Sequence, residues 1–564
     1  MNRVLRGLLA PVLIAAGLVA TTAATSTATA TPAHAASSTP SLAWQLKTSG
    51  RLHQSAPVIA DLNGDGIPEI IVGDLNGLVH AYEPNGHGEL AGWPQYARPD
   101  GVHPTAVESS PAVADLFNNG QKEVIVGATS VWVPNQQGGL VVFDAHGRTL
   151  WHWQGIDYIT IWGQTSFHHD GYTEGAIDTP AIGDVDGDGY PDIVFGGLDA
   201  RIHALNRYGH ELAGFPVQAD DTVWSSPALY DVFHSGQDEI FIGSPSTGGG
   251  PQPHMGGTMY GLVDVHGSVY TMWRQNIAES LDASPAIAEI NGRMAAITTT
   301  GWAFNNPEQQ DIFAWYLDNG SAVPGYPINT GSTVAASVAL GDVNGDGQPD
   351  IVVGGWDGLV RAYTLSGHLI WRESPFWGPG AHPSRIEGSA IIADVNGDGH
   401  QDVIVPTDTA VFVMDGRTGK YLAGPLGNNF TYQNSPAIEN TPTGRILVMA
   451  GMQGGYPLPE ASPSAYGDLS VYSLGPTSVV PAWPTWRHDA RRTGVAMTGP
   501  PRPKWASPST SGLTLFQRAI APTWSKPGTG MMSAEPFDLS NVATWSTLPP
   551  QAIQLHVGQY HIAV

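Results

Sequence analysis

Four short strings hold most of the chemistry that this chain displays: "DLNGDGIPE" from Asp61, "DVDGDGYPD" from Asp184, "DVNGDGQPD" from Asp342 and "DVNGDGHQD" from Asp394. Oxygen-bearing side chains fall at positions 1, 3, 5 and 9 of each. They are Asp61, Asn63, Asp65 and Glu69; Asp184, Asp186, Asp188 and Asp192; Asp342, Asn344, Asp346 and Asp350; Asp394, Asn396, Asp398 and Asp402. Glycines at positions 4 and 6 let the backbone curl where a Cβ would clash. A curled loop can converge these oxygens on one cation, and the carbonyl at position 7 (Ile67, Tyr190, Gln348, His400) adds a neutral ligand. Hard oxygens without nitrogen or sulfur select calcium over zinc or copper, so about four Ca2+ sites are expected. An Asp/Asn-Gly turn that merely bonds its own backbone is the simpler reading of any single copy. Four copies in one slot of a repeat favour the metal.

The slot itself recurs eight times, at Asp61, Asp115, Asp184, Asp231, Glu289, Asp342, Asp394 and Glu439, with a mean step of 54 residues. Four copies are eroded. Phe117 and Phe233 stand where a position-3 ligand belongs, and the turns after Glu289 and Glu439 are shortened. No strong metal site is expected there.

Each repeat has one grammar. A short apolar run such as "PVIAD" enters the turn, and a β-branched run such as "EIIVG" leaves it. An alternating run such as "LVHAY" follows a Gly-containing turn. A fourth element carries Trp or Gly-aromatic-Pro, as in "LWHWQ" and "GWPQY". Four antiparallel strands in a unit of this length make a β-propeller blade, because such a unit cannot bury its apolar face alone. The fold class is therefore all-β, a propeller of four-stranded antiparallel blades. The count gives eight blades, with seven the alternative if the worn fifth unit is misread. "LAWQLK" at Leu42–Lys47 and "PAWPTW" at Pro481–Trp486 compete to close the ring.

Composition agrees. The 564 residues include 69 Gly and 45 Pro, and only 13% are charged, which suits short strands and turns over long helices. The net charge of −26 argues against nucleic acid or anionic membrane as partner. With no Cys there are no disulfides, thiolate metal sites or cysteine nucleophile. Arg3 and Arg6 precede an apolar stretch, and "AHA" ends at Ala35, so residues 1–35 read as a secretory signal peptide. No later stretch is long enough to span a bilayer. The expected product is a secreted, extracellular monomer, with the propeller over 36–495 and a linker plus short segment over 496–564.

The turn motif followed by "I-V-G", as in "DIVVGG" at Asp350–Gly355, resembles the FG-GAP/VCBS repeat family, the repeats of the integrin α-subunit N-terminal propeller. The resemblance covers roughly Ala43 to Gly475. It implies calcium in loops between the first two strands of a blade, on the face away from the usual ligand face. The count departs from it, since integrins have seven repeats.

Other candidate sites lie between blades. The insertion 155–180 holds Trp162, His168, His169 and Tyr172, a candidate ligand-binding group with aromatics to stack on a sugar. "PFWGPGAHPSRIEG" offers Trp377, His382, Arg385 and Glu387 in an equivalent loop. The basic cluster Arg487, Arg491 and Arg492, with His488 and Asp489, reads as a lock of Arg–Asp pairs where the ring closes. The preferred function is an extracellular binding or adhesion module for polysaccharide, cell-wall or protein ligands. The alternative is a calcium-dependent polysaccharide lyase, although no catalytic constellation stands out and an enzyme is the less favoured reading.

Overall fold

The computed structural model describes residues 39–496 apart from 132, 134, 158, 161–166, 169–170, 248–254, 302–309, 377–384, 428–429 and 454–465, together with three short strands in the tail. Among the described residues there is no helix. Eight four-stranded antiparallel sheets follow one another, each built from strands consecutive in sequence except the last. Blade 1 is typical: Val58–Ala60, Glu69–Gly73, Leu78–Tyr82 and Gln95–Tyr96, paired in that order. The β-branched second strand is buried along its whole length, as a strand covered on both faces must be. Its last residue, Gly73, has no room for a side chain: a Cβ there would lie 2.2 Å from Val107 Cγ1.

The ring closes through the N-terminal strand. Ser41–Thr48 pairs with Gly467–Leu474 and completes the sheet begun by Ala437–Thr441 and Gly444–Met452. Leu42–Lys47 thus wins over Pro481–Trp486, and the worn fifth unit forms a complete blade from Ala286–Ile290 to Ile328–Asn329.

Two repeated devices join neighbouring blades. Aromatic side chains at the outer strands donate to a backbone carbonyl of the next blade. Trp44 Nε1 reaches Pro84 O at 2.8 Å, Trp151 reaches Arg207 O at 2.8 Å, Trp273 reaches Leu317 O at 2.7 Å and Trp371 reaches Gly416 O at 2.6 Å. Nearer the axis, serines before the inner strands accept backbone N–H groups from the preceding blade. The bonds form a chain from blade to blade: Thr179 N to Ser226 Oγ, Ser226 N to Ser284 Oγ, Ser284 N to Ser337 Oγ and Ser337 N to Ser389 Oγ, all 2.8–2.9 Å.

The segment 481–496 fills the centre. Ile392 pairs with Trp483, Ile438 N donates to Pro484 O, and Thr485 Oγ1 donates to Pro57 O. Val113, Ile182, Leu229 and Ile287 donate to the carbonyls of Ala490, Arg491, Thr493 and Gly494. A single stretch that meets the inner strands of seven blades by hydrogen bonds lies on the ring's axis, and Ala482 packs beside Gly341 of the remaining one. The expected Arg–Asp lock is corrected accordingly. Arg487 and Arg492 are buried and spend their guanidinium groups on backbone carbonyls, those of Pro227 and Pro285 and of Pro111 and Trp486. Arg491 comes only within 4.0 Å of Asp489. Carbonyls win because the inner strand ends present them toward the axis, where water is excluded.

Candidate metal centre

Each acidic turn joins an inner strand to the buried second strand, so its position-1 residue directly follows one strand and its position-9 residue starts the next. In blade 1, Asp61 accepts from Gly64 N at 2.8 Å and Gly66 N at 3.1 Å. Asn63 Oδ1 accepts from Asp65 N, Asp65 from Ile67 N, and Glu69 from Leu62 N, each at 2.8 Å. Gly64 and Gly66 sit at φ +80° and +85°, where other residues are strained. Blades 3, 6 and 7 repeat the pattern. Asp184, Asp342 and Asp394 each accept from two glycine N–H groups at 2.7–3.1 Å. Asp188, Asp346 and Asp398 accept from the N–H of Tyr190, Gln348 and His400, and Asp192, Asp350 and Asp402 from Val185, Val343 and Val395.

Each turn therefore brings all four of its predicted side chains onto one curl. Position 3 then separates two kinds of site. In blades 1 and 6 the Asn Nδ2 lies between two carboxylates: Asn63 reaches Asp65 Oδ2 and Glu69 Oε1, both at 3.2 Å, and Asn344 reaches Asp346 Oδ2 and Asp350 Oδ1, both at 3.1 Å. An amide N–H there stands in for positive charge. In blade 3 position 3 is Asp186, and no amide is available. Carboxylate oxygens of Asp184, Asp186 and Asp188 converge within 4.8 Å of one another, the one such cluster among the described residues. Three carboxylates at this spacing repel, and a cation relieves it. Arg207 stands 3.0 Å from Asp188 Oδ2, stacked on Tyr190, and acts on Asp186 electrostatically.

Electrostatics follow burial. Desolvation is the first cause in every case and nearby carboxylates add to it. Together they push Glu69 and Asp184 up to about 7, Asp350 to about 6, Asp402 to about 8 and Asp192 to about 9. The donor set fits a hard divalent cation: all oxygen, partly buried, with excess negative charge.

The speculative ligand group is mostly beyond view. Trp162 and His169 lie outside the described residues, as do Trp377 and His382, and His168 is placed only as part of the two-residue strand Phe167–His168. Tyr172 is half-buried. The insertion's end, at Asp178 and Thr179, meets residues of five other blades around an axial cavity that single-unit reading does not reveal.

Parts of the chain resemble known proteins. A model described as "FG-GAP-like repeat" matches residues 61–126 and 342–405, which include the turns of blades 1, 2, 6 and 7. The chain carries FG-GAP-like repeats. Human integrin alpha-7 is 29% identical over 155 residues, 26% of this chain and 12% of that protein. The matched stretch is thus a small part of that relative, and its likeness concerns the propeller repeats. Among solved structures, BamB from Moraxella catarrhalis has a TM-score of 0.44 at 14% identity, covering 77% of this chain and all of BamB. The V. cholerae biofilm matrix protein Bap1 has a TM-score of 0.37 at 16% identity, covering 78% of this chain and 91% of Bap1. The eight-bladed ring with these turns fits an integrin-like FG-GAP propeller.

Proposed function

We propose that this chain is a secreted, calcium-stabilised FG-GAP propeller that acts as an extracellular binding or adhesion module. The observation that carries the calcium part is the convergence of Asp184, Asp186 and Asp188 with no amide among them. In blades 1, 6 and 7 the same ion is held with Asn63, Asn344 or Asn396 turning its amide oxygen inward. Calcium supplies charge neutralisation, and the chain supplies a turn already shaped by its own backbone bonds. The carbonyls of Ile67, Tyr190, Gln348 and His400 complete the donor sets. Residues 1–35 direct export, and among the described residues no helix is long and apolar enough to cross a membrane.

The ligand face is the one opposite the turns, where the inter-blade connections gather, and its partner is an extracellular protein or a polysaccharide. The test is capture of the mature chain, in calcium, on a panel of extracellular proteins and of insoluble and acidic polysaccharides, with the supernatant watched for unsaturated sugars. Saturable retention without product is the expected result. Release of unsaturated product would overturn the non-enzymatic reading, and failure to bind every member of the panel would overturn the adhesion reading.

A further inference from the structure

The outer strands of the blades differ in how they guard their open edge. An outermost strand leaves one row of N–H and C=O groups without a ladder partner, and folds protect such rows by shortness, charge or Pro. Gln95–Tyr96, Val217–Gln218 and Ile328–Asn329 have two residues each. Leu369–Glu373 exposes Arg372 and Glu373, Tyr421–Leu426 contains Pro425, and Ser41–Thr48 exposes Lys47. Thr149–Gln154 stops at six residues. Blade 4 departs from all of these. Its outer strand, Val269–Ile277, runs for nine residues with neither Lys nor Pro. It pairs with Met255–Asp264 on one side and with no blade strand on the other. Its one charged side chain, Arg274, is spent on the buried Asp220 at 2.7 Å.

The tail supplies a strand of matching character. Gln554–Val557 and Tyr560–Ala563 pair antiparallel, and Tyr560–Ala563 is an edge strand of the three-stranded tail sheet. Residues 551–564 include no Asp, Glu, Lys or Arg, in a chain of net charge −26, and they carry the strand formers Ile553, Val557, Tyr560 and Ile562. Cα atoms of Tyr560–Ala563 lie within 8 Å of Cα atoms of Val269–Ile277, so two edge strands stand side by side. The route between them is short. Val495 and Ala496, at the end of the central segment, pair with Ile287 of blade 5, the neighbour of blade 4. From inner to outer strand is three strand spacings, ~14 Å, and residues 497–553 can cover that several times over at ~3.3 Å each.

We propose that the outer edge of blade 4 accepts a strand, and that its occupant is Tyr560–Ala563 of the same chain. The ladder of blade 4 then runs from Ala228–Tyr230 through Val269–Ile277 and on into the tail sheet. Main-chain bonds give such an addition its strength, as when an extended peptide adds to a sheet edge. Each element covers what the other leaves open: an unguarded nine-residue edge on the ring, and an uncharged strand that would otherwise pair with any free edge. The site lies at the rim and rests on neither the calcium nor the ligand reading.

The test uses the full mature chain, which has no Cys of its own. Thr271→Cys with His561→Cys, treated with a flexible bis-maleimide, should give a crosslink within one chain. Leu369→Cys with His561→Cys, which moves the first thiol to the outer strand of blade 6, should give none. Hydrogen exchange supplies the second reading. Ile562→Pro removes an N–H from the tail strand and leaves the ring untouched. Amides of residues 269–277 should then exchange at least tenfold faster than in the parent, with those of 369–373 unchanged. Crosslinks that form only between copies would assign the edge to a second molecule and overturn the proposal. So would the absence of any crosslink, equal crosslinking from blade 6, or exchange in 269–277 that Ile562→Pro leaves as it was.

Discussion

Blades 2 and 3 carry the same turn in two states. In blade 3, Asp184 holds the N–H groups of Gly187 and Gly189, and Asp192 holds that of Val185. In blade 2, Asp115 holds those of Asn119 and Gly120, and Glu123 holds that of Leu116. The backbone frame survives, yet Asp186 is replaced by Phe117, which packs on Tyr208 of blade 3 with ring centroids 5.9 Å apart. Blade 4 does the same with Phe233, buried in an apolar cluster. Both states keep the backbone bonds of the first and ninth carboxylates, and the third and fifth positions separate the proposed cation site from the packed one. Asn118 even donates to Gly189 O at 2.9 Å, so the packed turn braces its acidic neighbour.

The largest effect should come from breaking the packed version. Phe233→Ala removes a buried ring and should cost about 3 kcal/mol or more, equally in calcium and in chelator; a calcium-dependent loss in denaturant unfolding would deny the division. The acidic version responds to the ion instead. Asp186→Asn with Asp188→Asn should abolish one calcium equivalent and its stabilisation, about 2.7 kcal/mol at a hundredfold excess over Kd, while leaving the chelated chain as stable as before or more so.

Acidity sharpens the same contrast. The carboxyls of Glu69, Asp184, Asp192, Asp350 and Asp402 are raised in the folded chain, to between about 6 and about 9. A raised folded-state value means the native chain holds protons that the unfolded chain releases near pH ~4. Their stabilisation is thus full below that pH and is lost as pH rises through the folded values. In chelator the melting temperature should fall from pH 5 upward. His80 and His203, each between two carboxylates and raised to about 9, add to the fall only above about pH 6.5. Calcium should flatten the slope, and a chelated melt indifferent to pH from 5 to 6.5 would contradict the carboxylate account. The smallest effect is a gain. Phe117→Asp with Asn118→Gly should add weak calcium binding in blade 2, measured as extra stoichiometry by calorimetry, offset by the lost packing on Tyr208.

The repeat grammar made the blade legible, because each strand and turn is a local pattern copied eight times. Even the outer-strand tryptophans could be placed, although their role as donors to the next blade is a relation between repeats. Ring closure was ambiguous since Leu42–Lys47 and Pro481–Trp486 both present Trp in an extended run; only the pairing of Ser41–Thr48 with Gly467–Leu474 separates them. The axial course of 481–496 and the axial cavity beside Asp178 were not readable. Both are assembled from single residues of many blades, and no local spacing records that convergence.

The most direct measurement is the calorimetric melt of the mature chain and of its Asp186→Asn, Asp188→Asn form, in calcium and in chelator at pH 7. The account predicts that calcium raises the parent's melting temperature, and that the variant loses part of that rise while its chelated melt does not fall. A parent melt indifferent to calcium, or a variant with the full rise, would contradict it.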